Sequence, residues 1–295
     1  MVEAKQEYEG SEFLTSTDER FRPVSAVTGP DGALYITDFY RGVVQHRIYM
    51  TTWLRTQVDD RGLAKPVGLG RIWRIVRDEA VPEKIPNLSL MTNTELIDII
   101  AHHVNGSLRD TAQRLIVERG SQDGVDDLYE LVEDSELDPY RRIQAMWALN
   151  GLEALTADTV FAASTDSNRA IREHSARLSE SISTRDAASL LSDLIHDPHQ
   201  RVRIQAILSA GELPDADAFP ILAAALEEYG SDESVRTAVY SGLGSREARF
   251  IKEIAPCLEF GLVNKTMHKI DECVSLKDLS NLKKIYYNFL LEFFK

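Results

Sequence analysis

Apolar residues recur through the middle of the chain at the spacing of a helix face. They fall at offsets of 0, 3, 4 and 7, which lines one side of an α-helix. The four clearest sets are Leu96/Ile99/Ile100/His103, Val125/Leu128/Tyr129/Val132, Ala187/Leu190/Leu191/Leu194 and Phe219/Leu222/Ala223/Leu226, and a weaker set is Ala157/Val160/Phe161/Ser164. The pattern predicts one amphipathic helix in each of five successive segments.

Five arginines give a second periodic signal. The five are Arg109, Arg142, Arg172, Arg203 and Arg236, and successive members are 33, 30, 31 and 33 residues apart. Each arginine directly follows Leu, Arg, Ile or Val, and an Ala or Ser stands two or three residues after it. Together the two signals predict five units of about thirty residues, each made of two helices. We expect each arginine to tie adjacent turns by hydrogen bonds to an aspartate or to carbonyls of the next unit, and we favour this role over direct ligand contact.

Aspartates punctuate the chain before the arginine-bearing helices, at Asp138, Asp166, Asp197 and Asp232. Aspartate caps helix starts, and the proline that follows two of these residues suits a first helical turn. One helix pair cannot bury its apolar face alone, so the units must stack into an elongated array. The step from an Asp-rich turn to Val/Ile-Arg resembles the HEAT-like repeats, which implies an α-solenoid whose surface holds protein partners.

The first eighty residues carry a pattern typical of β-strands. Two short strands, 26–28 and 33–37, flank the turn sequence Gly-Pro-Asp-Gly, and a third is predicted at 70–76. Residues 40–69 are too polar for a core strand and predict a long excursion from the sheet. Three strands alone leave their edges uncovered, so we expect this segment to be the end of a larger structure.

Several short motifs in this segment resemble a known family. They are Phe21-Arg22-Pro23-Val24, Gly29-Pro30-Asp31-Gly32-Ala33-Leu34-Tyr35, Asp38, Arg41-Gly42-Val43, Gln45-His46 and Gly70-Arg71-Ile72-Trp73-Arg74-Ile75. The string is similar to the closing blade of the β-propeller in sugar dehydrogenases of the glucose/sorbosone type, which use pyrroloquinoline quinone (PQQ). It is more similar to membrane-bound dehydrogenases in which the propeller is followed by HEAT repeats and a c-type haem domain.

This resemblance implies PQQ and calcium for the intact family and a periplasmic or extracytoplasmic location. Only one blade is present and the haem domain is absent, so we expect no cofactor in this chain and no activity from the chain alone. Arg41 occupies a position where a family arginine faces the cofactor, and it is the one residue carried over; the alternative is a turn or surface arginine. His46 is interpreted as structural, because no catalytic partner stands beside it.

The predicted organisation has four parts. Residues 1–80 form the partial propeller segment, 81–92 a proline-containing linker, 93–260 the HEAT-like solenoid and 261–295 a divergent helical tail. An apolar stripe in the tail predicts a helix that covers the open end of the last repeat. Membrane-surface binding is a second interpretation, and a foreign origin through a cut or frame-shifted gene is a third.

Charge and composition narrow the function classes. The formal charge of −14 argues against nucleic-acid binding and favours basic, cationic or neutral partners, although it also serves solubility. No apolar run reaches the roughly 18 residues of a membrane span, and the first residues lack a secretory signal. Cys257 and Cys273 form no zinc or haem motif, and no GxSxG, HExxH or phosphate-binding loop occurs. The histidine pairs 102/103 and 196/199 are interpreted as capping or solvent-exposed.

These observations predict a non-catalytic scaffold that binds a protein partner through the solenoid surface. The alternative is a fragment of a PQQ-dependent sugar or alcohol dehydrogenase that is active only when the missing blades are supplied.

Overall fold

The computed structural model describes residues 7–79 and 84–254, together with the single helical positions 277, 280, 281, 283 and 284. Within these ranges the chain is mainly α-helical, with one small antiparallel sheet near its start. The predicted mainly α fold with a small amino-terminal β segment is therefore confirmed. Most of the predicted tail, both cysteines and part of the predicted linker lie outside the described residues, and the domain boundaries stay predictions.

The sheet has three strands in the order β1 (Pro23–Thr28), β2 (Leu34–Asp38) and β3 (Arg71–Ile75), and β2 pairs antiparallel with both neighbours. The tight turn between β1 and β2 requires glycine at Gly32, whose φ is 76°. The stretch from β2 to β3 is predicted as a long excursion from the sheet, without a helix being assigned to it. It contains the helix α1 (Thr52–Asp60), which is too polar to give an apolar periodicity and buries only Val58.

A buried carboxylate ties the strands together. Asp38 Oδ1 accepts hydrogen bonds from the backbone N–H groups of Arg22 and Tyr40, both at 2.8 Å, and its Oδ2 accepts from Trp73 Nε1 at 3.1 Å. Burial disfavours the charged form, but these three hydrogen bonds outweigh it and hold the pKa of Asp38 below its ordinary value. The carboxylate therefore links the start of β1, the end of β2 and the middle of β3.

Two rows of helices follow. The first helices of the units are α2 (Asn93–His102), α4 (Val125–Glu133), α6 (Ala157–Ser164), α8 (Thr184–Leu194) and α10 (Asp215–Tyr229). The second helices, which carry the periodic arginines, are α3 (Gly106–Arg119), α5 (Pro139–Gly151), α7 (Arg169–Leu178), α9 (Gln200–Ala210) and α11 (Glu233–Leu243), and α12 (Glu247–Ile254) comes after them. Buried apolar side chains from both rows form one continuous core.

The second helices pack against one another more extensively than the first helices do. Because one side of the array is packed more closely, the array curves toward the second helices. We therefore call α3, α5, α7, α9 and α11 the inner row, and α2, α4, α6, α8 and α10 the outer row. A close approach joins α9 and α11, where Gly211 and Gly242 face each other without side chains.

The helix starts depart in part from the aspartate pattern. Asp138 and Asp232 cap α5 and α11 through their carboxylates, at 2.9 and 2.8 Å from backbone nitrogens. At α9 the cap is His199, and Asp197 lies two residues earlier, where its carboxylate accepts from the His199 N–H at 2.7 Å. The start of α7 repeats this arrangement with Asn168 as the cap. Two of the four aspartates thus support the loop before the helix instead of the helix end itself.

A polar contact joins the sheet to the array. Asn105 caps α3 by accepting a hydrogen bond from Ser107 N at 2.9 Å, and its Nδ2 donates to the Gly29 carbonyl at 2.9 Å. The Asn105 side chain is buried, so both bonds form away from water. This one side chain places the β1–β2 turn against the start of the inner row.

Candidate partner-binding surface on the inner row

Charge is divided unevenly between the two rows. Residues 84–254 hold 29 acidic and 16 basic side chains, a formal charge of −13. The outer-row helices carry one arginine or lysine, the exposed Arg185, among the described side chains. They carry nine exposed carboxylates: Glu95, Asp98, Asp126, Glu130, Glu133, Asp158, Asp193, Glu227 and Glu228. On the inner row the exposed charges are Asp110, Glu118 and Glu233 against Arg114, Arg119, Arg169, Arg177 and Arg201. The acidity of the array therefore lies mainly on its outside.

Side-chain hydrogen bonds run between neighbouring inner helices. Gln144 on α5 donates to Asp110 Oδ1 at 2.7 Å and accepts from Arg109 Nε at 3.0 Å, so that it joins α5 to α3. Arg201 on α9 donates to Glu173 Oε1 on α7 at 2.9 Å. These links hold the inner surface in one arrangement and neutralise part of its charge.

Trp147 and His174 join α5 to α7. Trp147 Nε1 donates to His174 Nδ1 at 3.0 Å, which requires an unprotonated Nδ1. Burial lowers the pKa of His174, the charge of Arg201 lowers it further, and Glu173 opposes the shift. The imidazole is therefore held neutral near pH 7.

The His174 contact predicts a pH dependence of stability. The pKa of His174 is lower in the folded state than in the unfolded state. The neutral imidazole therefore stabilises the folded protein fully above pH 6.5, and this stabilisation is lost as the pH falls through the folded-state pKa. We expect His174→Gln, which keeps an acceptor for Trp147 but cannot be protonated, to lose less stability than the wild type between pH 7.5 and 5.5. Thermal unfolding followed by circular dichroism measures this, with the exposed His102→Gln as control; equal losses in all three proteins would refute it.

The periodic arginines bind carbonyls of their own unit. Nη1 of Arg109, Arg172, Arg203 and Arg236 donates to the backbone carbonyls six and five residues earlier, at 2.7–3.2 Å. Arg142 differs, because its Nε donates to a carbonyl ten residues earlier at 2.8 Å. The guanidinium groups thus close the short loops between the two helices of a unit.

Two of these arginines also bind an aspartate of the next unit. Arg142 Nη2 donates to Asp166 at 2.8 Å, and Arg172 binds both oxygens of Asp197 at 2.7 and 3.1 Å. The side chain of Asp197 is only 4% exposed. Burial opposes ionisation of Asp197, but hydrogen bonds from Arg172 and from a backbone N–H keep its pKa below the ordinary value. This pair is a nearly buried link between the third and fourth units.

Arg203 occupies the same position in the fourth unit, where no described carboxylate pairs with it. The Asp232 carboxylate accepts from Gln200 Nε2 at 2.6 Å instead, and the Arg203 guanidinium lies over the ring of Tyr229, 4.6 Å from its centroid. The buried Nε of Arg203 has no hydrogen-bond partner among the residues that the structure describes. Contacts therefore vary along the row, and the structural role assigned to the five arginines stays a prediction.

The residues singled out in the amino-terminal segment lie apart from the inner row. Arg41 is half-buried, with its guanidinium carbon 5.9 Å from the centroid of the Phe39 ring. The His46 side chain accepts a hydrogen bond from Ile48 N at 3.4 Å and caps a short 3-10 helix.

The paired histidines are engaged separately. His102 contacts Asp98 at 2.9 Å, His196 contacts Glu228 at 2.7 Å, and His199 caps α9. Within the described ranges, no three or more His, Cys, Asp or Glu side chains gather in a way that could hold a metal ion. Among the described helices, none combines the length and hydropathy that crossing a membrane requires.

Arg246 is an organising residue that the sequence reasoning missed. Its guanidinium donates to the carbonyls of Gly211, Gly242, Leu243 and Leu213, and it forms a salt bridge with an aspartate at the start of α10. It therefore joins the ends of α9 and α11 to α10. The residue falls ten positions after Arg236, outside the period of about thirty residues, so the repeat pattern could not reveal it.

Open grooves lie near both ends of the inner row. One, of about 770 Å³, is formed by the end of β1 and by α3, with Val27, Thr28, Ser107 and Asp110 in its lining. The other, of about 350 Å³, lies between α9 and α11. Because the sheet walls the first groove, sheet and array together shape the candidate surface.

Stacked two-helix units with a shared core give residues 93–243 the fold of a HEAT-like α-solenoid. Residues 157–244 match the family model described as HEAT repeats. Residues 1–79 match a model described as a domain of unknown function (DUF7133).

Short matches to curated proteins accompany these two models. Over 51 residues the chain is 63% identical to a succinyl-diaminopimelate desuccinylase of Pelagibacter ubique (strain HTCC1062), a match that covers 17% of this chain and 13% of that protein. Over 78 residues it is 41% identical to a protein of the same name from Methylobacterium radiotolerans, covering 26% of this chain and 19% of that protein. The chain thus matches less than a fifth of the length of either relative.

These findings correct the resemblance drawn from the first eighty residues. The model that matches this segment describes a domain of unknown function, and the relatives carry the name of a desuccinylase. The assignment to a PQQ-dependent dehydrogenase was wrong, because short turn and strand motifs such as Gly-Pro-Asp-Gly recur in many β structures. The role of Arg41 in cofactor binding stays a prediction, now without the family that suggested it.

Proposed function

We propose that this protein is a non-catalytic scaffold that holds a partner protein on the inner row of its HEAT-like array. The observation that carries the proposal is the division of charge: the outer row is strongly acidic, whereas the inner row has nearly balanced charges and open grooves. Balanced charge with aromatic and apolar groups is the character of a protein interface.

Exposed aromatic residues support the same surface. Tyr140 on α5 is 66% exposed and Tyr240 on α11 is 61% exposed. Tyrosine is enriched where proteins bind each other, since its ring gives a large contact area with little loss of side-chain entropy. Both residues lie on helix faces that point away from the shared core.

A catalytic role has less support. The described side chains form no metal-binding group, and the desuccinylase relatives share only 13–19% of their length with this chain. A match of that extent does not carry an activity from one protein to another. The scaffold role therefore rests on the repeat fold and on the inner surface.

Site-specific photo-crosslinking tests the proposal. A benzophenone amino acid replaces Tyr140 or Tyr240 in the full chain, and matched variants carry it at Glu130 and Ser189, which are exposed on the outer row. We expect crosslinked protein adducts from the inner positions and few or none from the outer ones. Adducts from the outer positions alone, or none from any position, would reject the inner row as the binding surface.

A further inference from the structure

We propose that the free edge of β1 binds an extended segment of a partner protein as an added antiparallel β-strand. The segment lies in the groove between β1 and the start of α3, called here the β1/α3 groove, which Val27, Thr28, Ser107 and Asp110 help to line. The inference rests on the proposed scaffold function for its place, since this groove belongs to the candidate surface. It adds the conformation in which the partner chain binds.

β1 is an edge strand with unpaired backbone groups. In the described part of the chain it pairs only with β2, and all six of its residues are exposed. The Gly29 N–H donates to the Ala33 carbonyl at 2.8 Å. Because the hydrogen-bonding residues alternate along an antiparallel pair, Val27 bonds to β2, whereas Ala26 and Thr28 direct their N–H and C=O groups away from the sheet. Another strand can match these groups, but a helix cannot, because its own backbone groups are already paired.

The two edges of the sheet differ in their protection against pairing. Proteins protect free edges with charged side chains, prolines, bulges or covering elements. The other edge strand, β3, carries two charged residues, Arg71 and Arg74. β1 has a proline and an irregular register only at its first residues, and positions 24–28 have the uncharged sequence Val-Ser-Ala-Val-Thr. Uncharged and β-branched residues favour strand pairing, so β1 is the edge that accepts a partner.

The β1/α3 groove has room for one strand. Its volume is about 770 Å³. A strand of five residues is about 17 Å long, 4.8 Å wide and 10 Å deep between packed layers, which amounts to about 800 Å³. A second copy of this chain would bring its own β2 and β3 next to its β1, and α3 walls the space that they would need. A single extended segment therefore fits the groove better than a second copy does.

The exposed face of the sheet indicates which side chains the partner strand carries. A second cavity, of about 370 Å³, extends over this face and shares Val27, Thr28 and Ser107 with the groove. Two of its lining residues are strongly exposed, Ile72 at 67% and Val27 at 58%. Every second side chain of an added strand points to this face. We expect β-branched or aromatic residues at those positions, because such cross-strand pairs stabilise sheets.

A fluorescein-labelled peptide of eight alternating valine and threonine residues tests the inference on the full chain. A matched peptide has the same sequence but is N-methylated at its four central residues. Methylation removes N–H donors from both edges of the strand and keeps the side chains. We expect saturable binding of the unmodified peptide in fluorescence anisotropy, and a dissociation constant about tenfold or more higher for the methylated peptide.

Two variants locate the added strand. Ala26→Pro removes an outward N–H of β1, and proline is tolerated on an edge strand where the N–H faces solvent. Ser107→Trp places a large side chain between β1 and α3. Each should weaken the unmodified peptide about tenfold or more, whereas Ser189→Trp, the same change on the exposed outer row, should leave binding unchanged. Thermal unfolding establishes that each variant is folded, and Ser107→Trp decides the outcome if Ala26→Pro does not fold.

Three results would overturn the inference: equal binding of the two peptides, undiminished binding by folded Ala26→Pro or Ser107→Trp, or no binding of the unmodified peptide. A dimer that Ala26→Pro dissociates would also overturn it, because a second copy would then occupy the edge. Crosslinking at Tyr140 and Tyr240 judges the scaffold proposal separately. Adducts at these positions together with a failed peptide test would leave the scaffold proposal standing, whereas peptide binding without adducts would reject the inner row and keep the edge of β1.

Discussion

Gly211→Ala is expected to destabilise the array by about 3 kcal/mol, near the upper end of the usual cost of overpacking. An added Cβ would lie 2.4 Å from Gly242 Cα and 2.7 Å from its carbonyl oxygen. Both are backbone atoms, so neither can rotate away, and α9 and α11 must move apart. The movement would also disturb Arg246, which binds the carbonyls of both glycines. Urea unfolding followed by circular dichroism measures the loss.

Gly242→Ala is the matched control. Its Cβ would meet nothing closer than 3.2 Å, and alanine inside a helix is favoured over glycine by about 1 kcal/mol. Gly242→Ala should therefore leave the free energy of unfolding nearly unchanged, although it adds the same methyl group to the same contact between α9 and α11. Equal stability of the two variants would show that the close approach of α9 and α11 does not limit the packing.

Arg172→Ala is expected to cost about 3 kcal/mol at pH 7, because it leaves the carboxylate of Asp197 buried without its cation. Arg203→Ala, at the equivalent position of the next unit, should cost only about 1 kcal/mol, since it removes hydrogen bonds to two carbonyls and a ring contact but no carboxylate partner. Urea unfolding of both variants gives the comparison. Similar losses would contradict the assignment of the ion pair as the main link.

The Arg172→Ala defect should also shrink in acid. Asp197 has a folded-state pKa below its ordinary value of 3.8, so the pair stabilises the wild type fully above that value and loses this effect as the pH falls through the folded-state pKa. Without Arg172, burial raises the pKa of Asp197, and protonation then relieves the variant. The difference in free energy of unfolding between the wild type and Arg172→Ala should therefore narrow below about pH 4. A difference that stays constant would exclude Asp197 as the partner.

The helical repeats were predictable because their signal is local. The offsets of apolar residues within α8, Ala187/Leu190/Leu191/Leu194, describe one helix face, and all four side chains are buried. Such spacing follows from the 3.6-residue turn and needs no knowledge of distant contacts. The helix α1 was missed for the converse reason: it is mostly polar and exposes most of its side chains, so it carries no apolar period.

The candidate surface was much less accessible to sequence reasoning. Trp147 and His174 are 27 residues apart, and Gln144 and Asp110 are 34 apart, yet both pairs form hydrogen bonds across neighbouring inner helices. Asn105 reaches a carbonyl 76 residues away. Contacts over these separations depend on how units stack, and a periodicity of single helices does not encode the stacking.

By itself, the sequence determined five helical units, their period, the sheet before them and an acidic balance, since each is a property of neighbouring residues or of composition. Tertiary structure alone decided which row faces inward, and with it the segregation of carboxylates to the outer row. It also decided that Arg172 meets a carboxylate whereas Arg203 meets an aromatic ring. The physical reason is that burial, ion pairing and groove shape arise where surfaces from separate units meet, and that meeting is set by packing of the whole array.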